Sequence, residues 1–394
     1  MHGFPSTVNY NRRLQWHATG PSGMEQTKTN QLWQKFPLKS EHRWLNYLLL
    51  LTPLAIGLAL AHAAPLLVFI TTALAIAPLA GILGESTGTL AAYTGPAVGG
   101  ILNATLGNAT ELIIAIFALH AGHISVVKAS LSGSIIGNLL LVLGLSIMAG
   151  GVRHNFQKFS CSSSSMNSTM LMIAVAALVM PAVFNLTVFG NLEHHPSSRM
   201  ENLSLWTSAV LILLYLANLV FVFRTHRDVF IAQENKAEAP ATGKGQAIAA
   251  LVISTALIAV LSETLVDQIA PVTRALGMTE LFVGVIVVAL IGNSAENSTA
   301  ILMARRNHMD LAMNIATGAS TQIALFVTPL LVFLSVPLGH PMTLLFNGFE
   351  IAGIFLSVLI VAMISSDGET HWFEGAQLLA VYAIMAVAFY FVPE

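Results

Sequence analysis

The chain has 394 residues, 55% of them hydrophobic and 9% charged, with a formal net charge of -2 and a mean hydropathy of +0.74. This composition lies outside the range of soluble globular domains and inside that of multi-pass membrane proteins. The balance of 17 Lys+Arg against 19 Asp+Glu lacks the basic excess of a nucleic-acid binder, and the single Cys161 excludes an internal disulfide.

Residues 1–43 are polar and read as a cytosolic tail, without the apolar core and cleavage site of a secretory signal. A helix needs roughly 20 apolar residues to cross the hydrocarbon. On that ruler the remainder predicts an all-α integral membrane protein of eleven transmembrane helices. A leading helix covers 44–62, and the others cover 66–92, 96–119, 124–150, 168–189, 203–223, 246–269, 278–303, 309–336, 345–366 and 373–392. Longer polar connectors fall at 151–167, which is Ser-rich, at 190–202 and at 224–245. The last is read as a cytosolic linker between five-helix halves at 66–223 and 246–392. With the amino terminus inside, only Lys128, Arg199 and Arg274 of the 17 Lys and Arg residues fall outside, the bias that the positive-inside rule requires. The carboxyl terminus is then outside.

The halves repeat one another. Each has a helix with Leu-x-Glu (Leu83 to Glu85, Leu261 to Glu263), then a helix with Gly-Asn-x-x-Glu, then a helix rich in small polar residues. The Gly-Asn-x-x-Glu copies are Gly107-Asn108-Ala109-Thr110-Glu111 and Gly292-Asn293-Ser294-Ala295-Glu296, and the third helices carry Ser134 and Asn138, or Ser320 and Gln322. Because each half has an odd number of spans, the second enters the membrane from the opposite side. The arrangement is an inverted repeat, and such transporters hold their site near the midplane where the copies meet.

A carboxylate inside a membrane helix is costly and by default marks an ion or proton pathway. Asn108 and Glu111 are three residues apart, as are Asn293 and Glu296, so amide and carboxylate project from one helix face in each copy. The preceding glycines permit an irregular turn whose free carbonyls must line a cavity. Two carboxylates and two amides are hard oxygen donors, suited to a calcium ion. A carboxyl group in low dielectric can take up a proton when its cation leaves. Glu85, Glu263, Gln322, Asn138, Ser134 and Ser320 are the candidates for proton coupling or access. Asp267 and Glu350 read equally well as interfacial residues reaching water, and the histidines fall in connectors.

On Gly-Gly-Ile-Leu-Asn-Ala-Thr-Leu-Gly-Asn-Ala-Thr-Glu-Leu-Ile at 99–113, Gly-Asn-Ser-Ala-Glu at 292–296 and Asp-Gly-Glu-Thr-His-Trp-Phe-Glu-Gly at 367–375, the chain resembles the calcium/proton exchanger family over about residues 44–392. The resemblance implies Glu111 and Glu296 as central cation ligands, flanked by Asn108 and Asn293, with Gln322 as polar partner. It departs from the family at Asn297, where many relatives carry His, and at Gly88 and Thr89, where relatives tend to carry a Glu pair. Glu85, one helical turn earlier, is the candidate substitute there.

The resulting expectation is a secondary antiporter that exchanges cytosolic Ca2+ for H+ by alternating access, with no cofactor. A sodium/calcium exchanger is the nearest alternative and a passive channel a remoter one. An enzyme is not expected, since His-Glu-x-x-His is absent and no Ser/His/Asp cluster is evident. Its partners would be Ca2+ and other divalent cations and the lipid bilayer, with no nucleic acid; homo-oligomers stay open. The setting would be a bacterial plasma membrane, or a vacuolar membrane in a eukaryote.

Overall fold

Among the described residues the eleven segments predicted as crossings hold thirteen helices, because two of the apolar runs are broken in the middle. The computed structural model describes residues 47–190, 198–225 and 242–392. The tail 1–43, residues 44–46 of the leading span, His194 and His195 of the 190–202 connector, and most of the 224–245 linker lie outside the described residues.

The helices are α1 (Leu51–Leu60), α2 (Pro65–Thr94), α3 (Pro96–Leu106), α4 (Ala109–His120), α5 (Ile124–Gly151), α6 (Cys161–Phe189) and α7 (Ser198–Thr225). They continue as α8 (Lys244–Leu276), α9 (Glu280–Gly292), α10 (Ser294–Arg305), α11 (Met309–Ser335), α12 (Gly348–Ile364) and α13 (Trp372–Phe391). Seven are long and apolar enough to cross a bilayer. The count is nine if α3 with α4, bent by 42°, and α9 with α10, bent by 64°, each form one span. α1 and α12 are shorter apolar helices.

α5 and α11 form the centre, with 78% and 67% of their apolar windows buried, whereas α7 and α13 have 17% and are peripheral. Both central helices loosen into a π turn, at Gly137–Val142 in α5 and Ile323–Val327 in α11. α9 has another at Val283–Val288. Such turns interrupt the regular ladder and are frequent at functional positions. α2 and α8 pack along one another, and α4 also lies against α8.

Three features differ from the sequence expectation. The Ser-rich segment was expected to be a connector up to residue 167, yet Cys161 to Asn167 form the first turns of α6. Ser160 caps that helix through its side chain, and Ser163 and Asn167 hydrogen-bond Asn314 of α11 at 2.9 and 3.2 Å. Glu350 does not reach water: it is 2% exposed. It accepts from Ser132 Oγ at 2.8 Å and from the Asn347 backbone N at 2.7 Å, in the capping box that starts α12. Finally, among the described residues the all-helical pattern has one exception, a two-residue antiparallel pair of β1 (Gln157–Lys158) and β2 (Glu369–Thr370).

Between α11 and α12 the chain runs buried but non-helical, with Met342 to Phe346 each at most 5% exposed. Irregular backbone in such a position must be given partners. They come from Ser335 to the Met342 N, from Ser204 to the Leu344 N, and from Lys128 Nζ, which donates to the Leu345 carbonyl at 2.8 Å.

Candidate functional site

The breaks in both bent pairs fall at the asparagine of a Gly-Asn-x-x-Glu copy. α3 ends before Gly107 and α4 begins after Asn108; α9 ends at Gly292 and α10 begins after Asn293. Each glutamate therefore sits in the first turn of a new helix, where the positive end of the helix dipole favours an anion.

The two breaks are in mutual contact. A β-carbon placed on Gly107 would lie 3.6 Å from Glu296 Oε1 and 3.7 Å from Gln322 Oε1, and one placed on Gly292 would lie 2.9 Å from Glu111 Cγ. Each glutamate thus packs against the glycine of the other copy. At Gly292 any larger residue would push the Glu111 side chain aside.

Cross-bracing amides hold this crossing. Asn108 Nδ2 donates to Gln322 Oε1 at 2.5 Å, tying the first break to α11. Asn293 Nδ2 donates to Ser134 Oγ at 2.8 Å and to the Ala289 carbonyl at 2.9 Å, and Asn293 Oδ1 accepts from Asn138 Nδ2 at 3.2 Å, tying the second break to α5. Asn108 and Asn293 are 1% and 2% exposed. The carboxylates keep some accessible surface, but Oε2 of Glu111 and of Glu296 and Oδ1 of Asn108 are shielded and have no hydrogen-bond partner among the described residues. Buried polar atoms are rarely left so. Three uncommitted oxygens around one crossing are a hard donor set for a cation such as calcium. No group of three or more His, Cys, Asp or Glu side chains suited to a metal occurs among the described residues.

The crossing therefore gathers Glu111, Glu296, Asn108, Asn293, Gln322, Asn138 and Ser134. Two of the other candidates, Ser320 and Glu263, are placed otherwise. Ser320 is fully buried, but its hydroxyl donates to the Ala316 carbonyl of its own helix at 2.9 Å. Glu263 is exposed on α8, as is Asp267, and Glu85 is half-buried on α2.

Sequence reasoning missed Tyr215. Its hydroxyl donates to the Ala104 carbonyl at 2.9 Å and its ring stacks on Phe326 at 5.1 Å, so α7 supports the last turn before the first break. One tyrosine in an apolar run gives no sign that it meets a carbonyl freed more than a hundred residues away. Asn297 was noted only as a departure from the family pattern. It is 9% exposed, and its Oδ1 is buried without a partner among the described residues.

The family model described as "Sodium/calcium exchanger protein" matches residues 64–224 and 246–391. The chain is 44% identical over 345 residues to the Ca(2+)/H(+) antiporter of Synechocystis sp., covering 83% of this chain and 91% of that protein. It is 42% identical over 343 residues to the Ca(2+)/H(+) antiporter ChaA of Bacillus subtilis, covering 86% and 96%. Among solved structures it resembles the selenium-substituted Ca2+/H+ antiporter protein YfkE with a TM-score of 0.77 and 39% identity, over 89% of this chain and all of that one.

Proposed function

The chain belongs to the sodium/calcium exchanger protein family, and from that membership we propose that it is a secondary active antiporter, moving Ca2+ out of the cytosol in exchange for H+. The observation that carries this reading is the contact of the two motif copies, each glutamate against the other copy's glycine, with carboxylate oxygens left uncommitted.

In this reading Glu111, Glu296 and Asn108 Oδ1 hold the cation, while Asn293, Gln322, Asn138 and Ser134 hold the breaks that present them. Two negative charges in a shielded pocket are tolerated only when balanced, by a divalent cation or by protons. Occupation by one excludes the other, which is the coupling an antiporter needs. The pocket opens to alternate sides as α2 and α8 shift against a core of α4, α5, α10 and α11.

The architecture that goes with this is eleven spans: the leading helix at 44–62 and inverted five-helix repeats at 66–223 and 246–392, with the amino terminus in the cytosol. The two segments matched by the family model support the division, and the paired bends at Asn108 and Asn293 support the repeat. The protein is multi-pass and integral to the membrane, here taken to be a bacterial plasma membrane.

The test is transport in proteoliposomes with the pH and sodium gradients set independently. A pH gradient alone drives uphill Ca2+ uptake, and a sodium gradient at equal pH does not. Uptake driven by sodium alone would replace proton coupling with sodium coupling, and failure of uphill movement under either gradient would point to a passive channel.

A further inference from the structure

The two breaks differ in which group serves the carbonyl one helical turn before the asparagine. In the second copy that carbonyl belongs to Ala289, and it accepts from Asn293 twice, from the backbone N at 3.2 Å and from Nδ2 at 2.9 Å. In the first copy the corresponding carbonyl belongs to Ala104. The α3 ladder closes one bond earlier, with the Gly107 N on the Asn103 carbonyl at 2.8 Å, and the donor to Ala104 is Tyr215 Oη of α7 at 2.9 Å. Ala104 and Tyr215 are both buried. A backbone carbonyl at membrane depth needs such a donor.

Tyr215 also reaches the far end of the Asn108–Gln322 hydrogen bond. Its ring stacks on Phe326 at 5.1 Å, and Phe326 lies in the π turn Ile323–Val327 that begins directly after Gln322. Gln322 Oε1 is the acceptor of Asn108 Nδ2. One side chain of α7 thus touches the turn before Asn108 and the turn after its partner.

We infer that Tyr215 is a positioning residue of the cation site and the source of the difference between the two asparagines. With the tyrosine hydroxyl on the Ala104 carbonyl, the amide hydrogens of Asn108 are free for Gln322, and Oδ1 stays uncommitted. The second copy shows what replaces a missing donor: the asparagine turns its own Nδ2 back onto the carbonyl of its helix. An amide rotates as a unit, so in the first copy that turn takes the donor from Gln322 and moves Oδ1 out of place. Tyr215 touches no cation and acts only through Asn108. The inference rests on the reading in which Asn108 Oδ1 holds Ca2+.

Calorimetric titration of the solubilised protein with Ca2+ tests it, because binding needs no gradient of counter-ion. Tyr215→Phe keeps the ring on Phe326 and removes only the hydroxyl. It is expected to raise the Kd for Ca2+ roughly tenfold, the lower end of what support behind a metal ligand contributes. Added to Asn108→Ala, the same substitution changes Kd by less than about twofold, because the ligand it positions is already gone, whereas independent effects would multiply to roughly a hundredfold. An unchanged Kd in Tyr215→Phe, or full multiplication in the double variant, overturns the assignment. Should Tyr215→Phe fail to insert, Phe326→Leu decides by the same two comparisons, since it removes the ring against which the phenol stacks. Failure of the wider reading looks different. If Asn108→Ala leaves Kd unchanged, Asn108 is no ligand and both fall; a wild type that shows these shifts in Kd but moves no Ca2+ uphill sinks antiport and leaves Tyr215 in its role.

Discussion

The two Gly-Asn-x-x-Glu breaks carry the same letters but use their asparagines differently. In the first, Asn108 spends only its amide hydrogens, on Gln322, and Oδ1 stays uncommitted. In the second, Asn293 is engaged at both ends: Nδ2 donates to Ser134 and the Ala289 carbonyl, and Oδ1 accepts from Asn138. The second bend is also sharper, 64° against 42°. A repeat fixes where a side chain projects, but its partners come from the opposite half, and those halves differ in sequence. Asn138 and Ser134 of α5 face one break, Gln322 of α11 the other. In the proposed mechanism Asn108 is therefore a ligand and Asn293 mainly a brace, while the glutamates remain equivalent.

The strongest test of that comparison is the part on which the copies agree. Glu111→Gln and Glu296→Gln are each expected to abolish pH-driven Ca2+ uptake, because each removes a charge that the shared ion requires while keeping the side-chain volume. A transporter that kept full activity with either substitution would not be using one pocket built by both halves. The asparagines should then part company. Asn108→Ala is expected to raise the KM for Ca2+ by roughly tenfold, the lower end of what support around a metal site contributes. Asn293→Ala is expected to act mainly on stability, since it strands the donors and acceptors of Ser134 and Asn138, at about 1–3 kcal/mol for each buried group left unpaired. Thermal unfolding of the detergent-solubilised protein, measured beside transport, separates the two. Equal effects on KM and Tm for both variants would remove the distinction.

Much of this was legible in the sequence because the bilayer makes polar residues conspicuous. A glutamate following Gly-Asn within an apolar run stands out, and its recurrence fixed both breaks and both carboxylates. The amide partners were less legible. Asn108 finds Gln322 214 positions away and Asn293 finds Asn138 155 positions away, so the residue types were visible but the pairing depends on how the helices cross. The serines of 161–167 misled for a local reason. Serine competes with the backbone for hydrogen bonds and so favours caps and turns in isolation. Here Ser160 is indeed the cap, while Ser163 and Asn167 spend their polar atoms on α11. For Glu350 the sequence leaves an interfacial residue reaching water and a buried carboxylate equally open, and the capping box and Ser132 decide for the second by giving both of its oxygens partners in the interior.

The smallest expected effects come from candidates that the structure leaves outside the crossing. Ser320 lies in α11, the helix after the second Gly-Asn-x-x-Glu copy, as Ser134 lies in α5 after the first, yet its hydroxyl donates to the Ala316 carbonyl of its own helix. Back-bonding of this kind is at best neutral for a helix. Glu263 is exposed on α8, where its charge does not share the shielded pocket. Ser320→Ala and Glu263→Gln are therefore expected to leave the initial rate of Ca2+ uptake within about twofold of wild type, as substitutions away from buried networks do. The serine is the sharper case, because Ser134→Ala removes the same hydroxyl. If Ser320→Ala lowered transport as far as Ser134→Ala, the symmetry of the repeat would govern function at these positions, and the differing hydrogen bonds of the two halves would not.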